Sequence, residues 1–337
     1  MFEDKKVLGI DIGSRHIKLA LVKQGRQPEL LAWAIVPTPE DCLQDGMVLN
    51  KQALAEQLKT AVKEHKLMVK KAAVNLNSSG IVVRELALPA LKDKEIGAAV
   101  RFELTKSFPD MVQTHATAFK IYHRTGDELE GITTLCPRKM IDFYREFCEE
   151  TGIPVKYMDV NANSLAKAYN CYVEAPQAGK SILLVDIRTN MSQVNVLQEG
   201  KIVLSRNITG GLASLESLLV QYFKMDQGEV AAARQSGYQK LPLSSEELNA
   251  CLRIGYGALG DLIRQTLDFC RYNKVEEGID SICLCGGGSA FQGLENYFST
   301  TFNLPVHAAQ PKHLRPEVTE CFKVLMPAIG AALREDW

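Results

Sequence analysis

The chain has 337 residues, 46% of them hydrophobic, and a formal net charge of −1. That is enough apolar content for two or more domains with real cores. The balance of charge leaves no global basic surface for nucleic acid and no terminal block of like charge to act as a tail. No apolar stretch reaches the roughly 18 residues of a membrane helix, and the opening MFEDKK lacks the apolar core of a signal peptide, so the sequence predicts a cytoplasmic chain without direct membrane insertion. Nine cysteines are scattered through apolar segments without paired CxxC modules, which reads as buried small hydrophobes and not as a disulfide frame. Cys283 and Cys285, one residue apart on a predicted strand, have poor spacing for zinc.

The opening stretch LGIDIGSRHIKLALV, residues 8–22, sets an apolar run ending near Asp11, then Gly13-Ser14, then a second apolar run from Ile17. It predicts two adjacent strands joined by a tight turn, with Gly13 taking backbone angles that a side chain forbids. N–H groups of such a turn converge on a phosphate, and Asp11 at the strand end is placed to hold a hydrated magnesium ion. An ordinary hairpin is the bland alternative. WAIVPTP (33–39) predicts a third strand leaving through prolines, KQALAEQLKTAVKEHKL (51–67) a helix, and KAAVNLN (71–77) a buried strand.

A segment of different character follows. IVVRELALPAL is strand-like, DKEIGAAVRFELTKSF is helix-like and closes before Pro109, HATAFKIYHR and GITTLCP are strand-like, and KMIDFYREFCEETG is a helix. Together they predict a compact insert over residues 80–153. The chain restarts with VKYMDVNANSLAKAY, and SILLVDIRTNMSQVNVL (181–197) then repeats the opening strand-turn-strand pattern. Asp186 stands where Asp11 stands, with Thr189, Asn190 and Ser192 polar in the turn. Arg188 takes the place of Gly13, which disfavours a left-handed turn and sets a long side chain, or its charge, where a phosphate would approach. SICLCGGGSAFQGLENYFS (281–299) runs a strand into Gly286, Gly287 and Gly288 and then a helix opening with a Ser, a pattern that lets a ligand lie against backbone at a helix N-terminus. The last helix, FKVLMPAIGAALRE, carries small residues suited to close packing.

These residues resemble the actin-like ATPase superfamily, with GIDIGS as a first phosphate loop, VDIRTN as a degraded second one and LCGGGS as an adenosine loop. Within it they are most similar to the PilM family of type IV pilus assembly components, relatives of the cell-division protein FtsA. The likeness covers most of the chain and includes the insert, the segments MDVNANSLAKAY and PAIGAALRE, and RNITGG near residue 206. It implies an α/β, actin-like (ribonuclease H-like duplicated) fold with two large domains and a small inserted domain in the first half. The first domain would take in 1–79, about 154–178 and 327–337, the insert 80–153, and the second domain 179–326, with a helical part near 225–275.

The resemblance also implies a site for ATP or ADP with Mg2+. Asp11 would orient the magnesium shell, with Asp186 opposing it through water, Gly13 and Ser14 would offer backbone donors, and Lys18 would reach the phosphates. Thr189, Gly210 and Gly211 would border the phosphates, and Gly286, Gly287 and Gly288 would approach adenosine. In the helix GEVAAARQSG, Arg234 replaces the family's Lys and Ala231 its Glu, which implies a weaker grip on the nucleoside. Asn161 stands at the water-positioning place where relatives have Glu, and an amide cannot act as a general base, so hydrolysis is expected to be weak or absent. The implied partner is the cytoplasmic N-terminal peptide of a PilN-like inner-membrane protein, in a groove lined by Arg84, Leu86, Leu88, Phe102 and Phe108. For the apolar members of that set, a place in the core of the insert is the plainer reading. Other pilus components and self-association stay open as contacts, and the chain would work at the inner face of the membrane through its partners. A scaffold without nucleotide, a small-molecule kinase and a filament-forming protein are the competing classes.

Overall fold

A computed structural model describes residues 5–175, 177–239, 241–273 and 278–334. The ends of the expected first domain, 1–4 and 335–337, lie outside these residues, as do 240 and 274–275 of the expected helical part. The chain divides into two compact units. One takes in the described residues up to Ala168, Lys201–Arg206 and those from Pro327 on, and the other takes in Tyr169–Gly200 and Asn207–Met326.

The first unit opens with three antiparallel strands, β1 (Lys6–Ile12), β2 (His16–Lys23) and β3 (Glu29–Pro37). β1 and β2 are buried almost throughout, because both faces of this sheet are covered and the strands are continuous apolar runs. A small hairpin, β4 (Leu43–Gln44) and β5 (Met47–Val48), turns through Asp45 and Gly46, both at positive φ, as a two-residue hairpin turn requires. Helix α1 (Lys51–Glu64) is capped by Asn50, whose side chain accepts from the Ala53 N–H at 3.2 Å, and it leads into β6 (Ala72–Leu76), parallel to β1.

The insert is a sheet of three strands ordered β7-β9-β8, namely β7 (Val82–Pro89), β8 (His115–Arg124) and β9 (Glu128–Pro137). It is covered by α2 (Asp93–Ser107) and α3 (Pro109–Thr114). Pro109 ends the first of these helices, as its sequence predicts, but it also occupies the first turn of another, where its missing N–H costs nothing. Val100, Leu104, Val112, Leu129 and Leu135 form the core of this layer. Helix α4 (Arg138–Thr151) ends at Gly152 in the left-handed conformation, and its Tyr144 hydroxyl donates to the Gly46 carbonyl at 3.0 Å.

β10 (Val155–Val160) returns beside β6 and completes a five-stranded order β10-β6-β1-β2-β3. Helix α5 (Asn161–Tyr172) follows. The second unit repeats the plan with β11 (Ser181–Ile187), antiparallel β12 (Met191–Gln198) and the last residues, 207–209, of β13 (Lys201–Thr209). Four helices come next, α6 (Leu212–Gln221), α7 (Gln227–Gln235), α8 (Ser245–Gly255) and α9 (Gly257–Asn273). Then β14 (Ser281–Cys285) pairs parallel with β11, followed by α10 (Leu294–Phe302) and by β15 (Val306–Ala308), parallel to β14.

The final helix, α11 (Pro316–Ala332), begins well before the predicted segment and contains Pro327. Its small residues do pack closely, as predicted. A Cβ on Gly330 would lie 1.7 Å from the Ser164 carbonyl oxygen, and one on Gly9 of β1 would lie 1.8 Å from that of Ala328. Backbone therefore meets backbone on both sides of this segment.

Candidate functional site

The strand register assembles the first cluster. Asp11 lies opposite Lys18 on β2 and Asn75 on β6, and Asn75 lies opposite Asp159 on β10. Lys18 Nζ donates to Asp11 Oδ2 at 2.7 Å, while Asn75 Nδ2 donates to Asp11 Oδ1 at 2.9 Å and to Asn161 Oδ1 at 3.1 Å. Asp11 is 0% and Lys18 8% exposed, so a buried carboxylate is balanced by a buried ammonium. The structure thus brings together three residues singled out by sequence, Asp11, Lys18 and Asn161, through a fourth, Asn75, that sequence reasoning missed. Its signal was one amide at the end of an otherwise apolar strand. Beyond Asn161, Asp159 accepts from Lys167 Nζ at 2.7 Å and from Asn163 Nδ2 at 2.9 Å.

The turn after Asp11 departs from expectation. Gly13 has no positive φ, its N–H donates to the His16 carbonyl at 3.0 Å, and its carbonyl accepts from Thr38 Oγ1 at 2.6 Å. The Gly13 N–H expected at a phosphate is therefore used to close the hairpin. Ser14, at the tip, is half-buried. The matching turn after Asp186 closes in the same way, with the Arg188 N–H donating to the Met191 carbonyl at 3.3 Å, again without a positive φ. Arg188 accordingly replaces Gly13 without the backbone strain that the sequence comparison suggested.

Asp186, 1% exposed, lies opposite Gln193 on β12 and Cys285 on β14. Burial, with Asp186 nearby, pushes the Cys285 thiol well above its usual pKa. The segment expected to border phosphates is clamped onto the turn. Leu212 N–H donates to the Arg188 carbonyl, Ala213 N–H to that of Thr189 and Gly210 N–H to that of Asn190, each at 2.9 Å. A Cβ on Gly211 would stand 2.2 Å from the Arg188 carbonyl oxygen, so this glycine serves chain packing.

The glycine run after β14 divides by the same test. Gly286, at φ +79, approaches Asp186 and Ile187 so closely that a Cβ would sit 2.4 Å from Asp186 Oδ1, and one on Gly288 would sit 2.3 Å from Ile187 Cγ2. Gly287 has open space beside it, and so does Gly210 apart from Ser214 Oγ at 3.9 Å. The run does not enter a helix directly, contrary to expectation. It forms a short 3₁₀ turn, Gly287–Ala290, held by Ser289 Oγ donating to the Gly286 carbonyl at 2.7 Å, and the α-helix begins only at Leu294 behind Gly293 at positive φ. Ser289 is a turn lock and caps no α-helix.

Around this turn lie groups that sequence did not single out. Tyr256 donates to the Gly288 carbonyl at 2.9 Å, and Tyr238 stacks on Phe291 with centroids 5.7 Å apart. Glu216, 7% exposed, accepts from Arg234 Nε at 2.9 Å and Nη2 at 3.1 Å, and from the Tyr238 hydroxyl. The Glu216 hydrogen bond raises the Arg234 pKa further. Ala231 lies on the same helix as Arg234, half-buried.

The expected groove residues fall in different places. Leu88 is 2% exposed and belongs to the core of the insert, so it cannot line a groove; the alternation of β7 turns it inward. Leu86 and Phe108 are partly buried against that core. Arg84 is exposed on β7, an edge strand, and Phe102 is 65% exposed on α2 with Lys106 Nζ 4.8 Å from its ring centre.

The groups around Asp11 fit a magnesium-bound phosphate tail in kind: a hard carboxylate, an ammonium and neighbouring amides. The open backbone beside Gly287 fits a flat group lying against it. Among the described residues there is no cluster of three or more His, Cys, Asp or Glu side chains able to hold a metal ion directly, so magnesium would be held largely through its water.

The doubled sheet, with an insert after the fourth long strand, is the actin-like fold. Solved structures share it. A chain in the PilM-PilN type IV pilus biogenesis complex is 22% identical, with a TM-score of 0.81 and 98% of each chain covered. Ethanolamine utilization protein EutJ from Carboxydothermus hydrogenoformans gives a TM-score of 0.57 at 13% identity, over 97% of this chain and 88% of that one. MreB5 of Spiroplasma citri bound to ADP gives 0.56 at 14%, over 97% and 94%. The chain itself belongs to the family described as type IV pilus assembly protein PilM, whose profile matches residues 9–335. Both the fold class and the family resemblance drawn from the sequence are thereby borne out.

Proposed function

We propose that this chain is a nucleotide-responsive scaffold of a type IV pilus assembly machine, which captures the cytoplasmic N-terminal peptide of a PilN-like inner-membrane protein. Family membership across residues 9–335 carries this reading, supported by likeness to a chain solved as a PilM-PilN complex. No helix among the described residues is long and apolar enough to cross a membrane, so attachment to the inner face of the membrane falls to the partner. The edge strand β7 offers main-chain groups to an extended peptide, and Arg84, Leu86, Phe102 and Phe108 offer side chains.

ATP or ADP with Mg2+ is the proposed ligand. Asp11 would orient magnesium's water shell, Lys18 would reach the phosphates, Gly210 would border them, and Gly287 would lie against the nucleoside. Magnesium, when bound, supplies positive charge to the phosphate tail. Asn161 accepts from Asn75, which also donates to Asp11, but its amide takes no proton from water, so hydrolysis is weak or absent. Support for nucleotide comes from the MreB5 likeness, since that protein was solved with ADP.

The test is titration calorimetry with a PilN-like N-terminal peptide, with and without Mg-ATP, on wild type, Asp11→Ala and Phe102→Ala. Phe102→Ala should weaken the peptide by about tenfold or more with an unchanged melting temperature, because an exposed aromatic contributes to an interface and not to the core. Asp11→Ala should abolish the nucleotide effect. Peptide binding indifferent to Phe102 would refute the groove, and no heat from Mg-ATP with wild type would reduce the turns to architecture.

A further inference from the structure

The segment 63–71, which ends α1 and leads into β6, reads KEHKLMVKK and carries four lysines against one glutamate in a chain whose net charge is −1. α1 closes in the way usual for a helix that ends on glycine. The Lys66 N–H donates to the Lys63 carbonyl at 3.2 Å and the Leu67 N–H to that of Val62 at 2.9 Å, and in this motif the residue just past the cap takes the left-handed conformation. Here that residue is Lys66, at φ +56. The backbone therefore carries strain that a glycine would relieve, at a position where the side chain is exposed and makes no packing contribution to the core.

Both ends of the loop are fixed. Leu67 is wholly buried, and at the other end the Lys71 carbonyl accepts from the Leu8 N–H at 3.1 Å. Between them Met68 stands 76% exposed, flanked in sequence by Lys63, Lys66 and Lys70, which are exposed as well. Among the described residues neither Lys66 nor Lys70 is held by a carboxylate. β6 pairs in parallel with the starts of β1 and β10, which sets the exposed Lys6 and Lys156 at the same end of the sheet. Asp11 lies at the far end of β1, about 17 Å from Lys6 at the rise of an extended strand.

One exposed methionine is ordinary. Held out on a basic loop, it has the composition of a surface that adsorbs to a bilayer, and the chemistry favours lipid over an acidic protein segment. Residues 63–71 contain no Arg, Trp, Tyr or Phe, the side chains that grip a discrete carboxylate or anchor a protein interface. Lysine, a point charge on a long flexible stem, suits diffuse attraction to a layer of anionic headgroups. The unbranched Met68 side chain adds apolar area at headgroup level.

We propose that the loop 63–71 is a peripheral membrane-contact site, in which Lys63, Lys66 and Lys70 adsorb to anionic lipid headgroups and Met68 seats among them. The choice of occupant rests on the inner-face placement proposed above, and adds to it a direct contact: the partner brings the chain to the membrane, and this loop sets which end of the first sheet meets the bilayer. Nucleotide plays no part in the contact.

The experiment is vesicle co-sedimentation of the full chain with pure phosphatidylcholine and with phosphatidylcholine containing about one-third phosphatidylglycerol. Wild type should bind the anionic vesicles at least about tenfold better, and should lose them when salt rises from about 0.1 M to about 1 M and the screening length falls from about 10 Å to about 3 Å. Lys66→Gly should raise the melting temperature while weakening anionic vesicles by about fivefold, and Lys66→Gly/Lys70→Ser should weaken them by about tenfold or more. Met68→Ser should weaken them a few-fold in low salt. Wild type that ignores anionic vesicles, equal binding to both vesicle types, or a double variant that binds as wild type does would overturn the proposal. Binding of a soluble oligoglutamate peptide in place of anionic vesicles would overturn it in favour of an acidic protein partner. Every variant should take up a PilN-like N-terminal peptide as wild type does; wild type that binds anionic vesicles but not that peptide would refute the partner reading and leave the membrane contact standing.

Discussion

Replacing Lys18 by Met keeps the length of the side chain and deletes the cation facing Asp11. Nζ and Oδ2 are 2.7 Å apart, with side chains 10% and 1% exposed. The carboxylate would then lose its cation at a position 0% exposed, with Asn75 still donating to it at 2.9 Å. Breaking one side of such a buried pair costs about 3–5 kcal/mol, whereas removing both charges is often close to neutral. Lys18→Met should therefore be strongly destabilising, and Lys18→Met with Asp11→Asn should recover most of the loss, because the amide still accepts from Asn75. Trp33 on β3 is paired with Ala20 on β2 and reports on this sheet. The only other tryptophan is Trp337, so a Trp337→Phe background isolates the signal. In urea, with m of about 1–3 kcal/mol/M, the single variant should lower the midpoint by at least about 1 M. A shift worth less than about 1 kcal/mol, or a double variant as unstable as the sum of the singles, would refute the claim that these charges are buried and mutually dependent.

Gly330→Ala forces a Cβ to within 1.7 Å of the Ser164 carbonyl oxygen, so the clash, about 1–3 kcal/mol or more, should exceed the gain in helix propensity of about 1 kcal/mol and lower the melting temperature. Gly97→Ala on α2, where a Cβ meets nothing within 4 Å, should raise stability by up to about 1 kcal/mol; a fall there would sink the packing account. The Asp280 pKa is lowered first by its hydrogen bond from Lys180 and then by that from the Ser181 N–H. A depressed carboxylate stabilises above its unfolded pKa, about 3.9, and that contribution is lost as pH falls through the folded value. Asp280→Asn should accordingly cost no more than about 1 kcal/mol at pH 7, given a partly exposed pair, and nothing in strong acid; equilibrium melts across that range decide it.

The doubled hairpin was legible because long apolar runs broken at Asp11 and at Asp186 state both the strands and their turns. Pairing across strands was not. Asn75 acquires its role from a parallel register with β1 that nothing in KAAVNLN encodes. Glu216 reads in its helix as one more surface charge, and its burial is decided by Arg234 and Tyr238, 18 and 22 residues away. The glycines misled in a consistent way. Three of them, Gly211, Gly286 and Gly288, answer to the chain's own close approaches, and a sequence does not separate a glycine kept for packing from one kept for a ligand. Leu88 reads equally as wall or core until β7 is seen paired on β9.

Each of the two clusters, taken by itself, bears on the proposed binding of a nucleotide. Lys18 is balanced by Asp11 and Arg234 by Glu216, so both cations that the family resemblance assigns to the ligand enter binding already neutralised. A triphosphate approaching the Asp11 turn without a metal would meet a pair that is neutral overall; Lys18 could turn to the phosphate only by withdrawing its ammonium from Asp11. Asp11, were it to hold a divalent ion through water, would have a second counter-charge, and Lys18 would then be free to turn to the phosphate. ATP affinity should thus fall by well over about tenfold when magnesium is removed with chelator in wild type. In Asp11→Asn, where no carboxylate competes for Lys18, the difference between the two conditions should shrink to a few-fold. Equal affinity for ATP with and without magnesium in the wild-type protein would mean that Lys18 is available to phosphate as it stands, and that the buried pair plays no part in choosing the ligand.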